Sequence, residues 1–164
     1  DGTDGVVLDD TYKEYYITFN NIHPSVDNTN IQFNMSTDTG SNYNVTKTSS
    51  AFLAYHSEGG GDAGLQYAGN EDLAQSTSFQ NISGLVGTNN DASTSGYLQL
   101  FNPSSTTFVK HFISRSHCYR SSVNYNYDWY IGGYGNTTSA VDAIRFQINS
   151  GNIDSGDICL YGIA

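Results

Sequence analysis

Basic residues are scarce in this chain: six Lys and Arg stand against 16 Asp and Glu, for a net charge of −10. Phosphate binding needs clustered cations. Lys13, Lys47, Lys110, Arg115, Arg120 and Arg145 are mostly scattered, and only Arg115 and Arg120 approach a patch, so nucleic acid is a poor partner. Charge of either sign is sparse, at 13% of residues, about half the usual share. No apolar run nears the ~20 residues of a helical membrane span, and an anionic bilayer repels an acidic chain, so no membrane insertion is expected. Helical patterning is missing too, since no segment holds an apolar stripe at helical spacing for three turns. There are two cysteines. Two buried free thiols are the preferred reading for a domain with this much core, with a Cys118–Cys159 disulfide as the alternative. The chain starts at Asp1 without an initiator Met or signal peptide, which reads as a matured protein or the ordered part of a longer one.

What is present is polar, aromatic and alternating. Apolar residues make up 37%, and there are 13 Tyr and 17 Gly among abundant Ser, Thr and Asn. Tyr, Ser, Asn and Gly are the palette of adaptable recognition surfaces and equally of a turn-rich β protein. Short runs alternate apolar and polar residues between Gly, Asn, Asp and Ser clusters, the signature of an all-β antiparallel sandwich. Strands are expected near 12–22, 31–36, from about 43, 51–56, 77–86, 96–101, 108–117, 125–134, 143–149 and 157–163. In the first, Tyr15, Ile17 and Phe19 share one face, with Tyr12, Tyr16 and Ile22 on the other, and His23-Pro24 ends it because Pro cannot donate to a ladder. In the second, Ile31, Phe33 and Met35 face inward, and residues 38–42 (DTGSN) form a hairpin turn. The last two runs pair through 150–152 (SGN). Residues 57–75 are Gly-rich, with one helical turn capped by Asn70. Residues 1–11 form an N-terminal arm and 12–164 one domain. A jelly roll fits best, with an immunoglobulin-like sandwich as the alternative. Val26-Asp27 with 31–36 echoes Val141-Asp142 with 144–150, a weak internal similarity.

No group of residues assembles a convincing catalytic centre, and no enzyme is expected. Asp38-Thr39-Gly40 and Asp154-Ser155-Gly156 match the aspartic-protease triplet, but a shared-proton dyad needs each Asp behind an apolar strand, and turn chemistry explains both. His23, His56, His111 and His117 lack zinc-ligand spacing. Adjacent His117 and Cys118 point to opposite faces of a strand, which does not suit a nucleophile pair. Asp9-Asp10, Glu71-Asp72 and the loop 88–91 offer oxygens for Ca²⁺, but the EF-hand spacing is absent and solvated turns are the adopted reading. Hence no cofactor is expected. Glu14, Glu58 and Glu71 are the only glutamates, and none sits in a glycosidase context. N-x-[ST] sequons begin at Asn34, Asn44, Asn81 and Asn136 and matter only in a glycosylating pathway.

The aromatics are the better clue. Tyr119, Tyr125, Tyr127, Trp129, Tyr130 and Tyr134 crowd one region with Asn124, Asn126 and Asp128. Alternate members Tyr127, Trp129 and Ile131 read as core. That leaves Tyr119, Tyr125, Asn126, Asp128, Tyr130 and Tyr134 as candidate ligand-binding residues, since Tyr offers a flat apolar face with a polar edge.

Three stretches carry a family resemblance: 12–24 (YKEYYITFNNIHP), 96–112 (GYLQLFNPSSTTFVKHF) and 137–162 (TTSAVDAIRFQINSGNIDSGDICLYG). Their order resembles a family of virion structural proteins of tailed bacteriophages, many marine or cyanobacterial. The resemblance spans most of the domain and rests on structural motifs, and it implies no catalytic residue. It implies a tail-fibre or capsid-decoration module on the virion surface, non-enzymatic, with other virion proteins as partners. A homo-oligomer, best a trimer, and contact with a host-surface glycan or protein go with that reading. A secreted carbohydrate-binding module and a polysaccharide-degrading enzyme are the alternatives.

Overall fold

A computed structural model describes residues 8–120 and 122–164. The described residues form ten strands: β1 (Glu14–Pro24), β2 (Ile31–Ser36), β3 (Lys47–Ser57), β4 (Ala63–Tyr67), β5 (Gln80–Asn81), β6 (Thr94–Phe101), β7 (Lys110–Arg120), β8 (Tyr125–Gly135), β9 (Ala143–Ile148) and β10 (Ile153–Ile163). Seven form one antiparallel sheet in the order β10-β1-β6-β7-β8-β3-β4, and three form a second in the order β5-β2-β9. The protein is an all-β fold of two packed antiparallel sheets.

Alternation decides which side chains meet between them. The large sheet turns Ile17, Phe19, Leu98, Leu100, Phe112, Trp129 and Ile131 inward, and the small one contributes Ile31, Phe33 and Met35. The Phe33 ring stands edge-on to Phe112 at 5.0 Å, joining the sheets at their centre. The two echoing segments are neighbours, since β2 and β9 pair with Phe33 opposite Phe146.

Several expectations are corrected. Ile22 is buried with Phe19, not turned away from it, because a bulge lies between them and Asn21 takes φ 50° there. An extra residue reverses the alternation. Tyr12 precedes the strand, and its ring packs on Tyr15 at 6.0 Å and over Gly162. The strand runs on through His23 and Pro24, opposite Ser155 and Ile153. The turn at 38–42 closes no hairpin: β2 pairs with β5 and β9, while β3 begins at Lys47 in the other sheet. Asp38 instead organises that crossing, accepting from the Ser36 hydroxyl and the Asn42 backbone N–H. For the same reason β9 and β10 do not pair. The 77–86 strand shrinks to β5 and one bridge between Thr29 and Val86. The 57–75 segment contains β4, and Asn70 lies inside a turn closed by Glu71 N–H on Ala68 O. Of the N-terminal arm, residues 1–7 lie outside the described residues, Leu8 is buried and residues 9–11 are exposed.

The disulfide alternative is also corrected: both cysteines are free. Cys118 faces the core from β7, whereas Cys159, opposite Thr18, points out from β10 three strands away. At about 4.8 Å per strand this distance is beyond a disulfide's reach. Burial pushes the Cys118 thiol up to about 12.

Two lysines are fully buried, and their acceptors differ in number. Lys47 and Lys110 flank β8 at the same level, both opposite Gly135. Lys110 Nζ donates to the carbonyls of Ser105, Phe108 and Thr137, which matches the three donors of an ammonium. Lys47 Nζ donates to Asn34 Oδ1 at 2.5 Å and Val45 O at 2.9 Å. Two acceptors suit a neutral amine and leave a third ammonium N–H bare. Burial accordingly lowers the Lys47 pKa to about 7. Between that value and the ~10.4 of an unfolded lysine, the unfolded chain holds more protons than the folded one. Stability must therefore rise with pH across this window, by at most about 1.4 kcal/mol per pH unit. Urea denaturation from pH 7 to 10 will show the rise, and Lys47→Met will reduce it to the share of Lys110, whose pKa burial also lowers.

Candidate functional site

No described residue covers the outer face of the seven-stranded sheet, and its registers align one continuous row. Paired positions run Cys159 (β10), Thr18 (β1), Tyr97 (β6), Arg115 (β7), Tyr130 (β8), Phe52 (β3) and Tyr67 (β4). The next row holds Tyr161, Tyr16, Gln99, Ile113 and Gly132. Phe52, Leu65, Tyr67, Ile113, Tyr161 and Ile163 are all well exposed on this face, Leu65 to 72%. A sheet face of this kind is ordinarily polar when it meets water.

The side chains on it are held in fixed poses. Phe52 stacks on Tyr130 at 4.8 Å with 1° between the rings, and Tyr16 stacks on Tyr97 at 4.9 Å. Between these pairs Arg115 forms a two-point ion pair with Asp128, 3.1 Å from Nε and 2.7 Å from Nη2. Its guanidinium lies over the Tyr130 ring at 4.9 Å, and the Tyr130 hydroxyl donates to Asp128 at 3.0 Å. Arg115 holds the Asp128 carboxyl below its ordinary value, and Asp128 in turn raises Arg115 and Tyr130. The centre of the face is thus aromatic and, with its one ion pair internally balanced, locally neutral on a strongly acidic chain. A shallow depression of about 220 Å³ lies beside it, lined by Tyr97, Arg115, His117 and Asp128.

The sequence-predicted residues divide between two surfaces. Asn126, Asp128, Tyr130 and Tyr134 point outward from β8, as does Tyr119 from β7, where it pairs with Asn126. Asn126 meets His117, Tyr134 lies 6.3 Å from His111, and Tyr119 donates to Asn124 and Glu58. Tyr125 has the opposite parity. It stacks on Tyr127 at 5.8 Å and donates to Asp62, inside a cleft at the open end of the sandwich. Trp129 and Ile131 are buried and Tyr127 half-buried. The sequence reading did not single out Tyr16, Tyr97, Phe52 or Tyr67. They lie on four different strands, β1, β6, β3 and β4, and only strand order brings them together.

The residues weighed for chemistry sit apart. Asp38 serves its turn, while Asp154 binds His23 at 2.8 Å, which raises the imidazole pKa. His111 and His117 share the outer face of β7. Among the described residues no three His, Cys, Asp or Glu side chains are grouped to hold a metal ion. The Asn34 sequon is fully buried, its amide bound to Tyr43 O, Thr77 O and Lys47. No family model matches the chain, and no curated protein or solved structure matches it significantly.

Gly96 fixes how closely β6 and β7 approach under this face. A Cβ there would lie 2.3 Å from the Arg115 carbonyl oxygen and 2.7 Å from Ser116 Cα. Both obstacles are backbone. Gly96→Ala should therefore destabilise the fold by about 1–3 kcal/mol, measured by urea denaturation, whereas Gly132→Ala, which meets nothing within 4 Å, should be far milder.

Proposed function

We propose that this chain is a non-enzymatic structural module of a tailed-phage virion surface. It assembles with copies of itself, and through them with other virion proteins, by way of the outer face of the seven-stranded sheet. Tail fibre and capsid decoration are both compatible with this role, and in either the turn-rich ends would be available to a host surface. The motifs in 12–24, 96–112 and 137–162 support the virion assignment. The observation that carries the assembly reading is the pair of aromatic stacks, Tyr16 on Tyr97 and Phe52 on Tyr130, set on either side of Arg115 with Tyr67 beyond, on a face that no described residue covers.

Size and charge support that occupant. Seven strands at about 4.8 Å spacing and some ten residues in length give a face of roughly 1,000 Å². This exceeds the ~800 Å² that each partner buries in a standard interface. Another copy of an acidic chain is repelled at most surfaces, but here Arg115 and Asp128 neutralise each other. Tyr-rich, charge-poor centres are typical of interface cores. Closed symmetry would use the same patch in every copy, and a trimer suits a fibre or decoration protein. The sandwich itself reads as a modified jelly roll, a view supported by the chain's repeated crossings between sheets, at β1–β2, β2–β3, β4–β5, β5–β6, β8–β9 and β9–β10.

Light scattering and sedimentation should find an oligomer, expected to be a trimer, at micromolar concentration. Phe52→Asp combined with Ile113→Asp should convert it to a monomer with an unchanged β circular dichroism spectrum, because both side chains are exposed. A wild-type chain that stays monomeric at high concentration, or an oligomer indifferent to these substitutions, would refute the assembly reading.

A further inference from the structure

The small sheet leaves a second region open, on the inner side of β7, β8, β3 and β4. Two adjoining cavities lie there, of about 190 and 320 Å³, and share Gln66, Arg120 and Tyr127. One wall is aromatic. Tyr125 and Tyr127 are stacked with 18° between their rings, and Tyr55 leans on both at 6.0 and 6.4 Å. The deep end holds Leu53 and Trp129.

Arg120 crosses the cleft with its hydrogen bonding unfinished. Its Nε is buried and has no partner among the described residues. Its Nη2 makes a 3.4 Å contact with Asn28, and among the described residues the guanidinium forms no ion pair. Trp129 Nε1 is also buried, packed against Gly84 beside the Cys118 sulfur, with no oxygen or nitrogen acceptor among the described residues. Buried donors of this kind are costly unless something accepts from them. Acceptors stand in the same cleft but are turned to other tasks. Asp62 takes one bond from Tyr125, Glu71 takes one from Asn81, and both keep lone pairs for further donors.

We infer that this cleft is a binding site for a neutral saccharide, one or two pyranose rings in size. A sugar ring presents an apolar C–H face to the stacked tyrosines, ring and hydroxyl oxygens to the Arg120 guanidinium, and hydroxyl donors to Asp62 and Glu71. The larger cavity lies at the lower end of the ~300–1,000 Å³ of small-molecule sites. An anionic ligand fits less well, because two carboxylates outnumber the single guanidinium within the cleft and the chain as a whole is at −10. This inference is independent of the assembly role, since the cleft lies on the other side of the sheet from the aromatic rows.

Trp129 is the chain's one tryptophan, so its fluorescence reports on this cleft alone. Titration of the full chain with glucose, galactose, mannose, N-acetylglucosamine, cellobiose, lactose and maltose should give a saturable change with at least one of them. Arg120→Met and Tyr127→Ala should each weaken that binding at least tenfold. Arg145→Ala, on the far face of the small sheet, should leave it unchanged. If Arg120→Met fails to fold, Gln66→Ala, at an exposed residue, supplies the same test. The Phe52→Asp, Ile113→Asp chain should still bind, so a failure of assembly and a failure of sugar binding are separately visible. The inference is overturned if no neutral sugar gives a saturable response. It is equally overturned if glucuronic or N-acetylneuraminic acid alone binds, or if the cleft variants bind as the wild type does.

Discussion

A three-stranded sheet, about 14 Å across at ordinary strand spacing, lies on a seven-stranded sheet more than twice as wide. Most of the protein's surface chemistry follows from that mismatch. Across the middle of the large sheet the inward side chains are buried, from Phe19 on β1 to Ala51 on β3, with Phe33 set against Phe112. Toward the edges cover runs out. Ile158 on β10 and Gln66 on β4 have inward parity and are nevertheless exposed. The cleft around Arg120 is the uncovered margin on one side, and the outer face has no second layer among the described residues.

The polar residues inside show how the covered region tolerates a Ser-rich and Asn-rich sequence. Ser116 donates to Ile82 O at 2.6 Å and Ser114 to Tyr97 O at 2.8 Å. Asn30 reaches Ser83 O, and the Ser83 hydroxyl takes the Ile31 backbone N–H. The bonds to Ile82 and Ser83 give the short β5 region its attachment where the ladder contributes two residue pairs. Buried polar groups are tolerated when each finds a partner, and here the partners are mostly backbone groups of segments too short to pair as strands. Lys110 does the same for the loop 102–108, with three carbonyls gathered on one ammonium.

What could be read from the chain itself follows the same division. Alternation is local, so it identified β2 at 31–36 with its three inward residues, and it gave the correct parity along β8, with Trp129 inside and Tyr130 outside. It carries no information about partners. Residues 38–42 look like a hairpin turn and instead carry the chain from one sheet to the other, because the competing pairing of β2 with β9 lies more than a hundred residues away. The bulge after Phe19 was equally hidden, as nothing in Asn20-Asn21 separates a bulge from regular strand. The candidate surfaces depend on strand order more than any other feature. β8 alone carries enough aromatics to draw attention, whereas Phe52, Tyr97 and Tyr67 gain meaning only when five strands place them side by side. Arg120 looked like half of a basic patch with Arg115, yet five residues of strand reverse the parity and send the two to opposite sides of the sheet.

That reversal bears on how the two uncovered surfaces can differ in role. Arg115 is spent on Asp128, so the outer face offers shape and aromatic area without unmet polar demand, which suits a broad, flat partner. Arg120 has a buried nitrogen with no acceptor, flanked by rings and by carboxylates with spare lone pairs. A concave site with converging, unsatisfied polar groups selects a small ligand that carries both donors and acceptors. The two surfaces lie back to back across β7 and β8, whose residues alternate between them. Occupying one therefore leaves the other open, and a chain assembled through its outer face would keep every cleft turned away from the shared interface.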